Sequence, residues 1–228
     1  MAGVPPRQLL VEGTGDLYAI VELMKKNGID WPDRKADAPV SIKPSGDVHA
    51  IMKAPFLGDQ LKQPGLRALG IMIDADDEPG QRWSWFRRQF AARQFRDLPE
   101  AMPAAGLIVE NPDGLRVGLW LMPDCGSAGM LETFLALLVP ETESALWDHA
   151  TASFAQARTL GAPCGDAHHD KARIHTWLAW QEPPGPSFGL ALTKKILDAS
   201  AVGAAAFVTW SKQLYGFSRI DDRTRVTG

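Results

Sequence analysis

Two apolar runs in this chain end abruptly in carboxylates. Leu9-Leu10-Val11 runs into Glu12, and Leu69-Gly70-Ile71-Met72-Ile73 runs into Asp74 and, two residues on, Asp76. A carboxylate beside apolar surface is costly unless a cation balances it. Oxygen ligands suit hard divalent ions, so the chemistry these residues point to is ligation of Mg²⁺ or Mn²⁺. Asp16 follows Glu12 by four residues, at the expected start of a helix where the dipole favours an anion. It would serve equally well as a helix cap. Asp74-Ala75-Asp76-Asp77-Glu78 holds four acids in five residues. Alternate residues of an extended chain share a side, so Asp74 and Asp76 are expected to point together. Asp77 and Glu78 read as a solvent-facing loop or as caps of the next helix.

Other residue clusters give weaker signals. Gly13-Thr14-Gly15 lacks both the dinucleotide and the P-loop glycine spacing, so a tight strand-to-helix turn is the simpler reading. His168 and His169 are adjacent and would face different ways on a helix, so at most one could bind an ion. A loop or cap explains them as well. His175 follows Lys171 by four residues, and it reads as a neighbour of that lysine or as core. Cys125 and Cys164 are the only cysteines and have no C-x-x-C partner, which argues for two reduced thiols over a thiolate zinc site. Arg82, Arg87, Arg88, Arg93 and Arg96 fall on a helix expected over 81–96. Trp85 lies near Arg88 and Arg96 by helical angle, opposite Trp83, Phe86 and Phe90. Such a face can stack bases and contact phosphates, or can simply be a solvated basic surface.

The elements that must position these residues follow from periodicity. Strands are expected at 8–12, 68–74, 106–110 and 117–122, with short strands at 40–43 and 48–52 around Pro44-Ser45-Gly46. Leu17, Ile20, Val21 and Met24 recur at helical spacing, and Asn27-Gly28 is a stop signal. Further helices are expected at 56–63, 81–96 and 127–139. From residue 141 the strand signal stops, and 141–160, 170–180, 190–199 and 203–215 read as helical. Strands alternating with helices imply an α/β fold with a mostly parallel, Rossmann-like sheet and a helical C-terminal part. Ligand sites in such sheets form at the C-terminal strand ends, where Glu12 and Asp74 fall. We expect one domain over 1–220, with a core over 8–140, a helical part over 141–215 and a frayed tail over 221–228.

Composition bounds the partners. The chain has 228 residues, 45% hydrophobic and 22% charged, and a net charge of −3. No apolar run reaches the roughly 18 residues of a membrane helix, and no signal-peptide layout opens the chain. A cytoplasmic protein with no membrane partner is therefore expected. The net charge gives no global basic field for nucleic acid. A metal site concentrates acids locally, however, so this argument has little force. Eight tryptophans leave room for an interface, and a homo-oligomer is one way to use it.

The pairing of V-E-G-x-x-D at a first strand with D-x-D at a later one resembles the acidic signature of the Toprim fold, in the form of the OLD (overcoming lysogenization defect) nucleases. The stretches Gly118-Leu119-Trp120-Leu121-Met122-Pro123-Asp124, Gly129-Met130-Leu131-Glu132 and Lys171–Ala179 resemble a family of short, stand-alone bacterial Toprim-like proteins of uncharacterised function, from about Leu9 to Tyr215. The resemblance implies metal ligation by Glu12, Asp74 and Asp76, with Asp16 and Glu132 completing the shell. It implies catalytic roles for Glu12 and for Lys171, which would stabilise charge on the phosphate. The OLD enzymes carry or recruit an ATPase, and these 228 residues show no match to one, so a separate ATPase partner is expected. The serine-bearing motif is matched only loosely by Ser127.

The expected function is Mg- or Mn-dependent hydrolysis of phosphodiesters in DNA or RNA, as the effector of a defence system working with a separate ATPase. Two rivals remain open: a non-catalytic Toprim scaffold or binding module, and a hydrolase of small phosphorylated or nucleotide substrates.

Overall fold

The computed structural model describes residues 5–32 and 34–217, so the expected tail at 221–228 lies outside the described residues. Five strands form one sheet: β1 (Arg7–Val11), β2 (Ser41–Pro44), β3 (Ala68–Asp74), β4 (Leu107–Glu110) and β5 (Arg116–Met122), in the order β2-β1-β3-β5-β4. The first three and β5 are parallel, and β4 pairs antiparallel with β5. The architecture is α/β and Rossmann-like, with helices on both faces. The hairpin turn between β4 and β5 is made as its residues suggest: Asn111 Oδ1 accepts from the amides of Asp113 and Leu115, and Gly114 takes φ 80°.

Period-two alternation along the strands builds two cores. On one face Leu9, Val11, Met72, Trp120 and Met122 meet α1 (Thr14–Lys26), α5 (Leu131–Ala136), α7 (His169–Ala179), α8 (Phe188–Thr193) and α9 (Val202–Tyr215). On the other, Leu10, Ile71, Ile73, Leu119 and Leu121 meet α2 (Val48–Ile51), α3 (Ala54–Leu61) and α4 (Pro79–Ala91). The last helix α9 crosses the sheet centre at a glycine pair. Gly70 and Gly118 are register partners on β3 and β5. A Cβ at Gly118 would stand 2.6 Å from a Leu214 methyl and 2.9 Å from the Trp210 ring. Tyr215 Oη donates to the Gln8 carbonyl at 2.9 Å and ties α9 to β1 as well.

Three expectations are corrected. Residues 48–51 are a short helix, not a strand: the Asp47 carboxylate accepts from Ala50 N at 2.6 Å and caps it. The helix expected over 127–139 is only α5. Ahead of it the Asp124 carboxylate accepts from Gly126 N, Ser127 N and Ser127 Oγ, and this local turn competes with helix. The helix expected over 81–96 ends at Ala91, so Arg96 lies beyond it in irregular backbone. Between α5 and α7 runs α6 (Ser144–Thr159), which packs on α7.

Candidate metal centre

The strand ends β1 and β3 present their carboxylates side by side, because parallel neighbours finish on the same edge. Glu12 follows β1 directly, and its Oε1 accepts from the amide of Asp74 at 2.7 Å. Its Oε2 accepts from Val48 N, the first amide of α2, at 3.1 Å. Glu12 thus braces β1, β3 and α2. Asp74, the last residue of β3, accepts at Oδ1 from Leu131 N, the first amide of α5, at 2.9 Å. Asp16 lies in the first turn of α1 and accepts from the Gly13 amide. Glu132, next to Leu131, is buried and pairs with Lys171 on the first turn of α7, Oε1 to Nζ 3.1 Å. One residue along on each helix, Thr133 Oγ1 donates to Asp170 Oδ2 at 2.8 Å, a second link between α5 and α7. Asp170 also meets His169 Nδ1 at 3.0 Å.

These contacts link Glu12 to Asp74, Asp74 to the residue before Glu132, and Glu132 to Lys171, with Asp16 in the first turn of α1. Burial pushes the Asp74 carboxyl up to about 8, and repulsion from Glu12, Asp16 and Glu132 adds to it. Burial also raises Glu12, helped by Asp16 and Asp76, against the opposing pull of its Asp74 and Val48 hydrogen bonds. Asp16 is raised by burial and then by Glu132, while Lys171 and the Gly13 amide oppose the shift. Lys171 is raised, chiefly by the Glu132 carboxylate. Four carboxylates thus face one lysine in a half-buried place, which leaves an excess of negative charge for protons or a cation to neutralise.

Asp76 departs from the expectation that it points with Asp74. The strand ends at Asp74, and Asp76 takes the left-handed φ of 51°. Its amide donates to Gly129 O at 2.9 Å and its carbonyl accepts from Gly129 N at 2.8 Å. Its carboxylate is bound by Arg82 of α4, Oδ2 to Nη2 2.6 Å. Among the described residues, no three acidic, histidine or cysteine side chains converge as a ready-made ion cage. The donor set still fits a hard divalent cation, since it consists of carboxylate oxygens that repel one another at one strand edge. Two of the five acids are held by cations of the chain itself.

Arg82, Trp85 and Arg88 line an open groove of about 570 Å³ with Asp76 and Met52. Trp85 is half-buried, edge-on to Phe86, and Arg88 is exposed. Arg96 is exposed and outside the residues that line this groove. Sequence reasoning missed three participants: Arg82, Thr133 and Asp170. Arg82 was visible only as one of five arginines on a helix. Its distinction is that Asp76 lies six residues before it across the loop that opens α4. Cys125 and Cys164 are free thiols, and burial pushes Cys125 up to about 12. No helix among the described residues is long and apolar enough to cross a membrane.

No curated protein and no solved structure matches the chain. A family model described as a protein of unknown function (DUF3226) matches residues 6–216, a span that takes in all five strands, the acid cluster, Arg82 and Lys171. The chain belongs to the DUF3226 family.

Proposed function

We propose that this protein is a Mg- or Mn-dependent phosphodiesterase of the Toprim type that cleaves DNA or RNA, as the effector of a defence system beside a separate ATPase. The observation that carries the reading is the gathering of Glu12, Asp16, Asp74 and Glu132, from four different elements, around Lys171 at the C-terminal edge of the parallel sheet. With Asp76, these carboxylates would hold the ion. Bound there, a divalent ion would supply Lewis-acid chemistry, making a bound water more acidic and offsetting charge on the phosphate. The chain's own contributions are separate. Lys171, whose side chain is more than half exposed, can reach a phosphate oxygen and place a fixed positive charge beside it. Glu12, with its raised proton affinity, suits the acceptance of a proton from the attacking water. Trp85 and Arg88 give the groove a stacking face and a phosphate contact.

The test is cleavage of plasmid, structured RNA and small nucleotides with Mn²⁺, comparing the parent with Asp74→Asn. Asparagine keeps the Oδ1 acceptor for Leu131 N, so the fold is retained. Activity should fall to background. An Asp74→Asn protein that cuts as fast as the parent overturns the reading, and cleavage of nucleotides alone moves the substrate class to small molecules.

One observation favours a non-catalytic Toprim-like binding module: Asp76 and Glu132 are already paired with Arg82 and Lys171. Calorimetric titration with Mn²⁺ separates the two, because a scaffold takes up no ion.

A further inference from the structure

The Asp76–Arg82 pair sits between the acid cluster and the groove and belongs to both. The Asp76 backbone is pinned by two hydrogen bonds to Gly129, so its carboxylate moves only by rotation about its own side-chain bonds. Arg82 is fixed from the other side by α4, whose Trp83, Phe86 and Phe90 are buried in the core. Its Nη1 faces the weakly accepting Met52 Sδ at 3.3 Å, and its buried Nε has no partner. Asp76 is therefore the one strong acceptor that Arg82 engages among the described residues. Arg82 is 18% exposed at its side chain and Asp76 45%, so the pair is partly shielded from water and weakly screened. Asp76 lies two residues after Asp74, whose amide donates to Glu12 Oε1 at 2.7 Å, and its charge also disfavours ionisation of Glu12.

We propose that Arg82 is a positioning residue that withholds Asp76 from the ion-binding acids, so that the chain at rest offers a metal only part of its ligand set. The proposal rests on the metal reading above. It accounts for the absence of a ready-made cage among the described residues at a place where the acids are nonetheless gathered. It also gives the groove a role in loading the ion. Any anion that engages Arg82, which has donors to spare, frees Asp76 to rotate toward Glu12 and Asp74. The phosphate of a strand lying along Trp85 and Arg88 is such an anion.

The experiment is calorimetric titration of the full chain with Mn²⁺, without nucleic acid. Arg82→Gln should bind Mn²⁺ about fivefold or more tighter than the parent, the equivalent of releasing a partly shielded ion pair. Arg88→Gln removes the same charge from the same groove without touching Asp76, and should bind as the parent does. Arg82→Lys, which keeps the charge, should stay close to the parent. In the Arg82→Gln/Asp76→Asn double variant the gain should vanish. Thermal unfolding in chelator reports whether each variant is folded, and Arg82→Met, which keeps the aliphatic stem, replaces Gln if it is not. Equal affinity in parent and Arg82→Gln overturns the clamp, as does an equal gain in Arg88→Gln. Absence of Mn²⁺ binding in the parent and every variant removes the metal reading itself, and the clamp with it.

Discussion

Asp74 is the residue on which the site's electrostatics converge, and its consequence for stability is direct. Its carboxyl is raised from 3.8 to about 8, so between those values the folded chain carries a proton that the unfolded chain has lost. Stability from this group is complete below pH about 4 and is lost as the pH rises toward about 8. Glu12 and Asp16 are raised by the same causes and act in the same direction. In chelator, the melting temperature of the parent should fall across that window, and Asp74→Asn should flatten the fall and be the more stable protein at its alkaline end. A difference between parent and Asp74→Asn that does not fall as the pH rises would contradict the burial of Asp74. Glu12 behaves differently because both its oxygens accept backbone amides. Glu12→Gln turns one acceptor into a donor facing an N–H, and should cost about 1–3 kcal/mol by chemical denaturation.

The acids themselves were legible in the sequence, because a carboxylate after an unbroken apolar strand has few cheap explanations. The ion pairs were not. Lys171 was named only through the family resemblance, and only the packing of α5 on α7 brings it to Glu132. The side on which Asp76 points was lost for a local reason. Alternation holds only while the backbone stays extended, and it does not survive the left-handed turn at that residue.

At the scale of elements, the strands were well marked because period-two burial on both faces leaves strong apolar runs. The shorter helices were not, since side-chain caps at Asp47 and Asp124 decide where backbone turns begin. Helix α4 was expected to run to residue 96, and its early end removes Arg96 from the groove while leaving Trp85 and Arg88 on it. Arg88→Gln should weaken binding to single-stranded DNA and lower the salt slope by about one, whereas Arg96→Gln should leave both unchanged, as read by fluorescence anisotropy over a range of salt. Helix α9 depends on the glycine pair beneath it. Gly118→Val would force a side chain into Leu214 and Trp210, at a cost of about 2–3 kcal/mol and a fall in melting temperature of roughly 5–10 °C.

Across the whole molecule, a net charge of −3 hides an uneven distribution, with acids at one strand edge and arginines along α4 beside it. An ion bound at that edge would join β1, β3, α1 and α5 at one point. Mn²⁺ at about a hundredfold above its dissociation constant should therefore stabilise the fold by about 2.7 kcal/mol, visible as a raised melting temperature that Asp74→Asn abolishes. Because burial and repulsion raise the proton affinity of Glu12, Asp16 and Asp74, Mn²⁺ uptake should release protons, measurable as a dependence of the calorimetric heat on buffer ionisation.

The seat of α9 over Gly70 and Gly118 carries a further consequence, for biosynthesis. The strands are made first, yet Leu9, Met72 and Trp120 are covered by Phe207, Trp210 and Leu214, among the last described residues to be translated. A ribosome-bound chain therefore holds a greasy, half-covered sheet until α9 has emerged. Premature termination near residue 200 should yield insoluble product, even though every proposed ion ligand has by then been made.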